Sequence, residues 1–236
     1  MVHYLAGLNL SLSPSQHVEA IVTASVLGQV AATAWAHRNS TSLAKETTGP
    51  VKTLPKAHSA AWLALPAHGF SSLLPPVLYL SGVLAHNLEQ PEWLRKFSLP
   101  GELDDVFHSS EGRAVGVVRV LASIVSVGVG YAATKTVRAL GGQWHYIGIR
   151  EKAQVVSTGP YAIVRHPLYS LILVQEFLMA GMFWSYIPLV ALPITALAFA
   201  VKVPVEEKLI EDDENTGPAY VEYKKKVTAR LIPWLW

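Results

Sequence analysis

Three polar blocks near the end of the chain carry the residue types that could do chemistry. The first is Gly159-Pro160-Tyr161-Ala162-Ile163-Val164-Arg165-His166-Pro167-Leu168-Tyr169, with a guanidinium and an imidazole side by side between tyrosines. The second is Glu206-Glu207-Lys208-Leu209, a carboxylate pair. The third runs from Tyr220-Val221-Glu222-Tyr223 to Arg230-Leu231-Ile232-Pro233-Trp234. Gly159-Pro160 is a turn signal, and Pro167 suits the first turn of a helix, where a missing N–H costs nothing. Two readings fit Arg165-His166. One is a membrane-interface anchor, with Arg165 snorkelling to headgroups and the tyrosines in an aromatic belt. The other is a ligand site, which requires that Glu206 and Glu207 fold back onto Arg165 and His166. A carboxylate pair beside a cation and an imidazole suits a polar ligand. An exposed interfacial salt bridge alone would contribute only ~0–1 kcal/mol.

The elements that must bring these blocks together are read from the distribution of charge. No Asp, Glu, Lys or Arg occurs in 20–37, 57–88, 120–134 or 177–201. A helix crossing the hydrocarbon core needs ~20 mostly apolar residues, so each stretch can hold much of a span. Charged residues make up 15% of the 236, against about 25% in soluble domains, and mean hydropathy is +0.30. The fold class expected is therefore all-α, a polytopic transmembrane helical bundle of about five spans. Val18–His37 is the first. The stretch 57–88 is too long for one straight crossing and short for two; Pro66 and Pro75-Pro76 break its ladder. A kinked span or a tight hairpin would fit, and the acidic loop 89–112 that follows favours one crossing. Ala114–Thr134 is the next span, and 166–201 reads as two helices joined by a tight turn.

Positive charge sets the orientation. Arg38, Lys45, Lys52 and Lys56 follow the first span, while Lys135, Arg138, Arg150, Lys152 and Arg165 precede the hairpin. With the tail from Lys202, these segments are expected on the cytosolic side, so all three polar blocks share one face. The chain divides into N-terminal spans, 1–134, and a C-terminal region, 135–236, that holds the three polar blocks and the hairpin. A net charge of +2 is too balanced for a nucleic-acid binder. The absence of cysteine excludes disulfides, thiolate metal sites and cysteine nucleophiles. No metal-ligand spacing occurs. His58, His68 and His86 read as core or interfacial histidines, Trp234 and Trp236 as interfacial anchors, and Glu176 as either an acceptor-site or a packing carboxylate within the hairpin.

In order and spacing, the three blocks resemble the isoprenylcysteine carboxyl methyltransferase family and its phospholipid-methyltransferase relatives. The resemblance covers about 153–236 and implies an integral membrane methyltransferase using S-adenosyl-L-methionine, in the endoplasmic reticulum, with its cofactor site facing the cytosol. It implies cofactor contacts at Ala153, Gln154, Val155, Val156, Tyr161, His166, Pro167, Leu168, Tyr169 and Glu206. Val155-Val156 would face adenine, the tyrosines the sulfonium, and His166 and Glu206 the carboxylate and ammonium of the methionine moiety. Arg165 and Glu207 are the catalytic candidates, with Arg165 bracing the acidic pair, and Lys202 is the substrate contact. Two positions depart from the family: Ala153 stands where the family has His, and Lys202 where it has an Arg that meets the substrate carboxylate. Lysine keeps the charge but not the bidentate fork.

The implied reaction is methylation of the C-terminal carboxylate of prenylated cysteine proteins, a lipidated substrate reached from the bilayer among membrane lipids. It would be a direct displacement in which positioning supplies the rate. A phospholipid amine or a prenylated small molecule is the alternative acceptor, and Glu206 or Glu207 could then serve as base. A sterol-reductase-like oxidoreductase and a non-enzymatic membrane scaffold with a degenerate cofactor site are the remaining readings. Oligomeric state cannot be read from the chain.

Overall fold

The computed structural model describes residues 4–5, 8–9, 12–101, 110–233 and 236. Seven helices carry the described residues: α1 Pro14–Thr47, α2 Ala61–Ala85, α3 Glu92–Arg95, α4 Ser110–Leu140, α5 Pro167–Phe183, α6 Ile187–Glu211 and α7 Gly217–Lys226. Two small antiparallel pairs complete them, β1 (Tyr4–Leu5) with β2 (Leu8–Asn9), and β3 (Val51–Thr53) with β4 (Ile149–Arg150). This is an all-α polytopic bundle. Four helices, α1, α2, α4 and α6, are long and apolar enough to cross a membrane, and α5 is a fifth apolar helix of 17 residues.

Local chemistry sets the element boundaries. Ser13 caps α1 through a reciprocal capping box with Gln16, and Pro14 fills the first turn. The stretch 57–88 forms one helix, with Pro66, Pro75 and Pro76 inside it and no hairpin. The 166–201 stretch folds as expected into two helices with a tight turn. Trp184 adopts a left-handed conformation there (φ 53°), and the turn is braced by Tyr186 N–H to Phe97 carbonyl (2.8 Å) and Leu99 N–H to Trp184 carbonyl (3.0 Å). Helices α1 and α4 outrun their uncharged stretches, so Arg38, Lys45, Lys135 and Arg138 lie on helical extensions and not in loops. Residues 102–109 of the acidic loop and Trp234 lie outside the described residues.

Packing joins α2 to α6, α4 to α5, α1 to α4 and α5 to α6. Outward faces are apolar: Leu63, Phe70, Leu73 and Val77 on α2, and Val117, Leu121 and Ile124 on α4, are all exposed. Such surfaces suit hydrocarbon, where helices satisfy their own backbone groups. At the end remote from the three blocks, Val18, Val22, Tyr79, Val83, Met182 and Phe183 pack together, with Tyr79 stacked on Phe183 at 4.1 Å. A buried ion pair, Arg119 with Glu19 at 2.7 Å, sits beside them. Arg119 Nε donates to the Met182 carbonyl (2.9 Å), Gln90 donates to Glu19 (3.1 Å), and the Tyr79 hydroxyl also donates to Glu19. Buried charge survives in such a setting only when paired and hydrogen-bonded.

Glu176, 1% exposed, accepts from Ser72 on α2 (2.5 Å) and Thr195 on α6 (2.8 Å) through one carboxylate oxygen. These bonds tie α5 to both α2 and α6. The opposite end gathers the ends of α1, α4 and α6 with the start of α5. Lys52 reaches Asp213 at 2.6 Å and the Thr48 hydroxyl donates to the Gly142 carbonyl (2.7 Å). Strands β3 and β4 pair there, and Gly148 makes that possible: at φ 137°, a Cβ at this position would meet the Thr53 carbonyl oxygen at 2.7 Å.

Candidate functional site

The first block is built to present its side chains at this end of the bundle. Gly159–Ala162 forms a single 3-10 turn, His166 is the N-cap residue of α5, and Pro167 occupies the first turn. Since α5 and α6 are antiparallel neighbours, the end of α6 returns to the start of α5, and Glu206 and Glu207 reach the first block as the ligand-site reading requires. The two carboxylates then diverge. Glu206 points to Tyr169, whose hydroxyl donates to Oε2 at 2.8 Å. Glu207 points away, toward the tail.

Glu207 is fully engaged. Arg165 Nε donates to its Oε1 at 2.6 Å, His166 Nε2 lies 3.3 Å from the same oxygen, and Arg230 Nε donates to Oε2 at 3.1 Å. Arg165 also donates through Nη1 to the Val227 and Thr228 carbonyls (2.8 and 2.6 Å). The backbone follows: Arg165 N–H bonds the Ala229 carbonyl and His166 N–H the Arg230 carbonyl. The third block is thereby strapped across the start of α5, and Ser170 Oγ adds a bond to the Leu231 carbonyl at 2.6 Å.

Beside this strap lies a cavity. All ten positions expected to touch the cofactor line it: Ala153, Gln154, Val155, Val156, Tyr161, His166, Pro167, Leu168, Tyr169 and Glu206. Arg165 lines it as well, whereas Glu207 and Lys202 are not among its lining residues. One wall is apolar and aromatic. Tyr161, Tyr220 and Tyr223 cluster there with Val155, Val156 and Ile210, and the Tyr223 hydroxyl donates to the Tyr161 carbonyl at 2.6 Å. Burial pushes the Tyr161 and Tyr220 phenols well up and Tyr223 to about 12, so all three stay neutral donors at physiological pH. The other wall is polar and stacked: His166 lies parallel to Tyr169 at 5.5 Å, and Tyr169 in turn stacks on Phe199 at 4.4 Å. Lys202, buried on α6, holds its ammonium 4.6 Å from the centre of the Tyr169 ring.

Sequence reasoning missed six lining positions upstream of the first block, Leu140, Gln143, Trp144, His145, Gly148 and Ile149. Gln143 anchors the expected segment, its Oε1 accepting from Gln154 N–H at 2.9 Å. His145 presents a buried Nδ1 that has no hydrogen-bond partner among the described residues. Its imidazole is held below the ordinary histidine range by burial, with Glu206 opposing and Arg150 and Lys202 adding to that shift. No pattern in the sequence marks these positions. They arrive through the β3–β4 pairing and the Arg150 side chain, which bonds the Trp144 and Gly49 carbonyls (3.0 and 2.7 Å). Among the described residues, no group of His, Asp and Glu could hold a metal ion.

Residues 123–212 match the family model of the isoprenylcysteine carboxyl methyltransferase (ICMT) family. The matched segment runs from the middle of α4 through the first block and the α5–α6 hairpin to the acidic pair. No curated protein matches the chain.

Proposed function

We propose that this chain, an integral membrane protein carrying the isoprenylcysteine carboxyl methyltransferase family match over 123–212, is an S-adenosylmethionine-dependent methyltransferase acting on a lipidated acceptor, the C-terminal carboxylate of a prenylated cysteine protein. The observation that carries this reading is the convergence of all ten expected cofactor positions, from three separate segments, on one cavity. The chemistry of the lining fits the cofactor. Val155, Val156 and Ile210 offer an apolar slot for adenine, Tyr161 and Tyr169 offer aromatic faces to a cationic sulfonium, and Glu206 offers an anion to an ammonium. When bound, S-adenosylmethionine supplies an activated methyl group.

The chain's own residues position and exclude. Tyr169, hydrogen-bonded to Glu206, fixes that carboxylate at the cavity wall. Glu207 and Arg165 hold the strap closed over the start of α5, which gives Glu207 a positioning role. An acceptor carboxylate is already ionised at neutral pH, so no general base is required and orientation supplies the rate. Lys202, with its ammonium over the Tyr169 ring, sets positive charge next to the cavity for an anionic acceptor. A phospholipid amine or a prenylated small molecule is the second reading, and the observation that favours it is Lys202 itself, which lacks the fork a carboxylate prefers. On this proposal 135–236 is the methyltransferase region, 1–134 supplies the N-terminal spans, and the basic, site-bearing end faces the cytosol in the endoplasmic reticulum.

Binding of S-adenosylhomocysteine to the detergent-solubilised protein tests the reading. Wild type should bind, and Glu206→Ala should bind more weakly by about 1.5–3 kcal/mol, the scale of a lost charge-assisted contact. Absence of binding by wild type would return the chain to the scaffold or reductase classes. Farnesylcysteine analogues offered beside phosphatidylethanolamine then decide the acceptor.

A further inference from the structure

His145 stands at the cavity with its ring unassigned by anything above. Its neighbours pin the segment: the Tyr146 hydroxyl bonds His37 Nε2 on α1 at 3.1 Å, and Trp144 meets the same His37 edge-on at 5.6 Å. Buried polar atoms in native proteins are nearly always partnered, so an exception calls for a reason. Other side chains with unpartnered buried polar atoms among the described residues are Thr23, Ser98, Gln175 and Glu176; none of these lines the cavity, and His145 does.

The two cavity histidines differ in what they have left to give. His166 Nε2 lies 3.3 Å from Glu207 Oε1, and that oxygen also receives Arg165. A carboxylate so placed accepts, so Nε2 of His166 carries a proton and is committed to Glu207. His145 has no such commitment at Nδ1. The charged groups that act on its ring are Glu206 and Lys202 of α6 and Arg150 of β4, and Glu206 lines the same cavity.

We propose that His145 is a ligand-binding residue of this cavity, its Nδ1–H donating to the carboxylate of the cofactor's amino-acid end while Glu206 takes the ammonium. This rests on the cofactor reading above and goes beyond it in naming the anion's donor. It also changes the part of His166, which becomes a stacking partner of Tyr169 and a brace on Glu207.

The experiment compares two ligands on three proteins. S-adenosylhomocysteine carries the amino-acid end, and 5′-methylthioadenosine has the adenosine and sulfur without it. Dissociation constants are measured by calorimetry on detergent-solubilised wild type, His145→Ala and His145→Asn. His145→Ala should weaken S-adenosylhomocysteine by about ten- to a hundredfold and leave methylthioadenosine unchanged, the second ligand serving as the control for an intact cavity. His145→Asn, whose amide nitrogen can stand where Nδ1 stood, should recover most of the loss. Equal weakening of both ligands would make His145 a structural residue and overturn the assignment, as would no weakening of either. A wild type that binds methylthioadenosine but gains nothing from the amino-acid end would also overturn it while sparing an adenosine site. Silence toward both ligands would remove the cofactor reading itself.

Discussion

The Glu207 carboxylate lies 2.6 Å from Arg165 Nε and 3.1 Å from Arg230 Nε, so one buried side chain near the end of α6 ties the turn before α5 to the C-terminal tail. Its companion Glu206, one residue earlier, faces the cavity instead. Adjacent carboxylates on a helix point about 100° apart, and that angle separates a bracing residue from a ligand-facing one.

Removing one partner from a buried pair leaves the other charge uncompensated, at a cost of about 3–5 kcal/mol. Glu207→Ala and Arg165→Ala should each lower the thermal midpoint of the detergent-solubilised protein. Because the two side chains share one interaction, the double variant should lose less than the two single losses added. Strict additivity in the double-mutant cycle would mean that the pair is not coupled.

The legible parts of this fold are those that charge and proline mark directly. The uncharged stretches locate the long helices, and the run 166–201 reads as a hairpin because 36 residues with one formal charge exceed any single span. The hairpin, in turn, is what predicts the meeting of Glu206 with the first block. Two things were not legible. Arg119 and Glu19 stand at the edges of uncharged runs with nothing in the sequence to join them, yet they pair inside the bundle at 2.7 Å because α1 and α4 pack side by side. His145 and Trp144 reach the cavity through a strand pair between residues about a hundred positions apart, and no local period encodes that. Which of two adjacent glutamates turns inward is carried by the family resemblance at Glu206 and by no local pattern.

Topology is testable without background labelling, since the chain has no cysteine. Ser157, Thr228 and Lys96 are exposed, the first two at the site-bearing end and the third beside the α5–α6 turn. Single cysteines at Ser157 and Thr228 should react with an impermeant maleimide from the same side of a sealed membrane, and a cysteine at Lys96 from the other. Labelling of Ser157 and Thr228 from opposite sides is incompatible with the strap.

Asp213 provides a pH signature. Burial pushes its carboxyl up, but Lys52 at 2.6 Å and bonds from Thr216 and Asn215 outweigh that and hold it below the ordinary 3.8. A group whose pKa is depressed on folding adds stability that is present above its unfolded value and is lost as pH falls through the folded one. The melting-temperature gap between wild type and Asp213→Asn should therefore be full at neutral pH and shrink once pH drops below about 4. Absence of a gap at neutral pH would show that the Lys52–Asp213 link between β3 and the α6–α7 turn contributes no stability.

Lys202 separates the acceptor classes. Its ammonium is buried against Tyr169, which shares a hydrogen bond with Glu206, so it stands one ring away from the expected cofactor contact. If the acceptor is anionic, Lys202→Ala should lower turnover with a farnesylcysteine analogue while S-adenosylhomocysteine affinity barely moves. Lys202→Arg should keep or raise that turnover, because a guanidinium can hold both carboxylate oxygens. An amine acceptor reverses the signs: a cation beside a substrate ammonium is repulsive, so loss of Lys202 should be neutral or helpful with phosphatidylethanolamine, and arginine should bring no gain. Steady-state rates for the three side chains against the two acceptors therefore give opposite orders for the two classes. Indifference of both acceptors to all three would reduce Lys202 to a packing cation over Tyr169 and end its part in acceptor recognition.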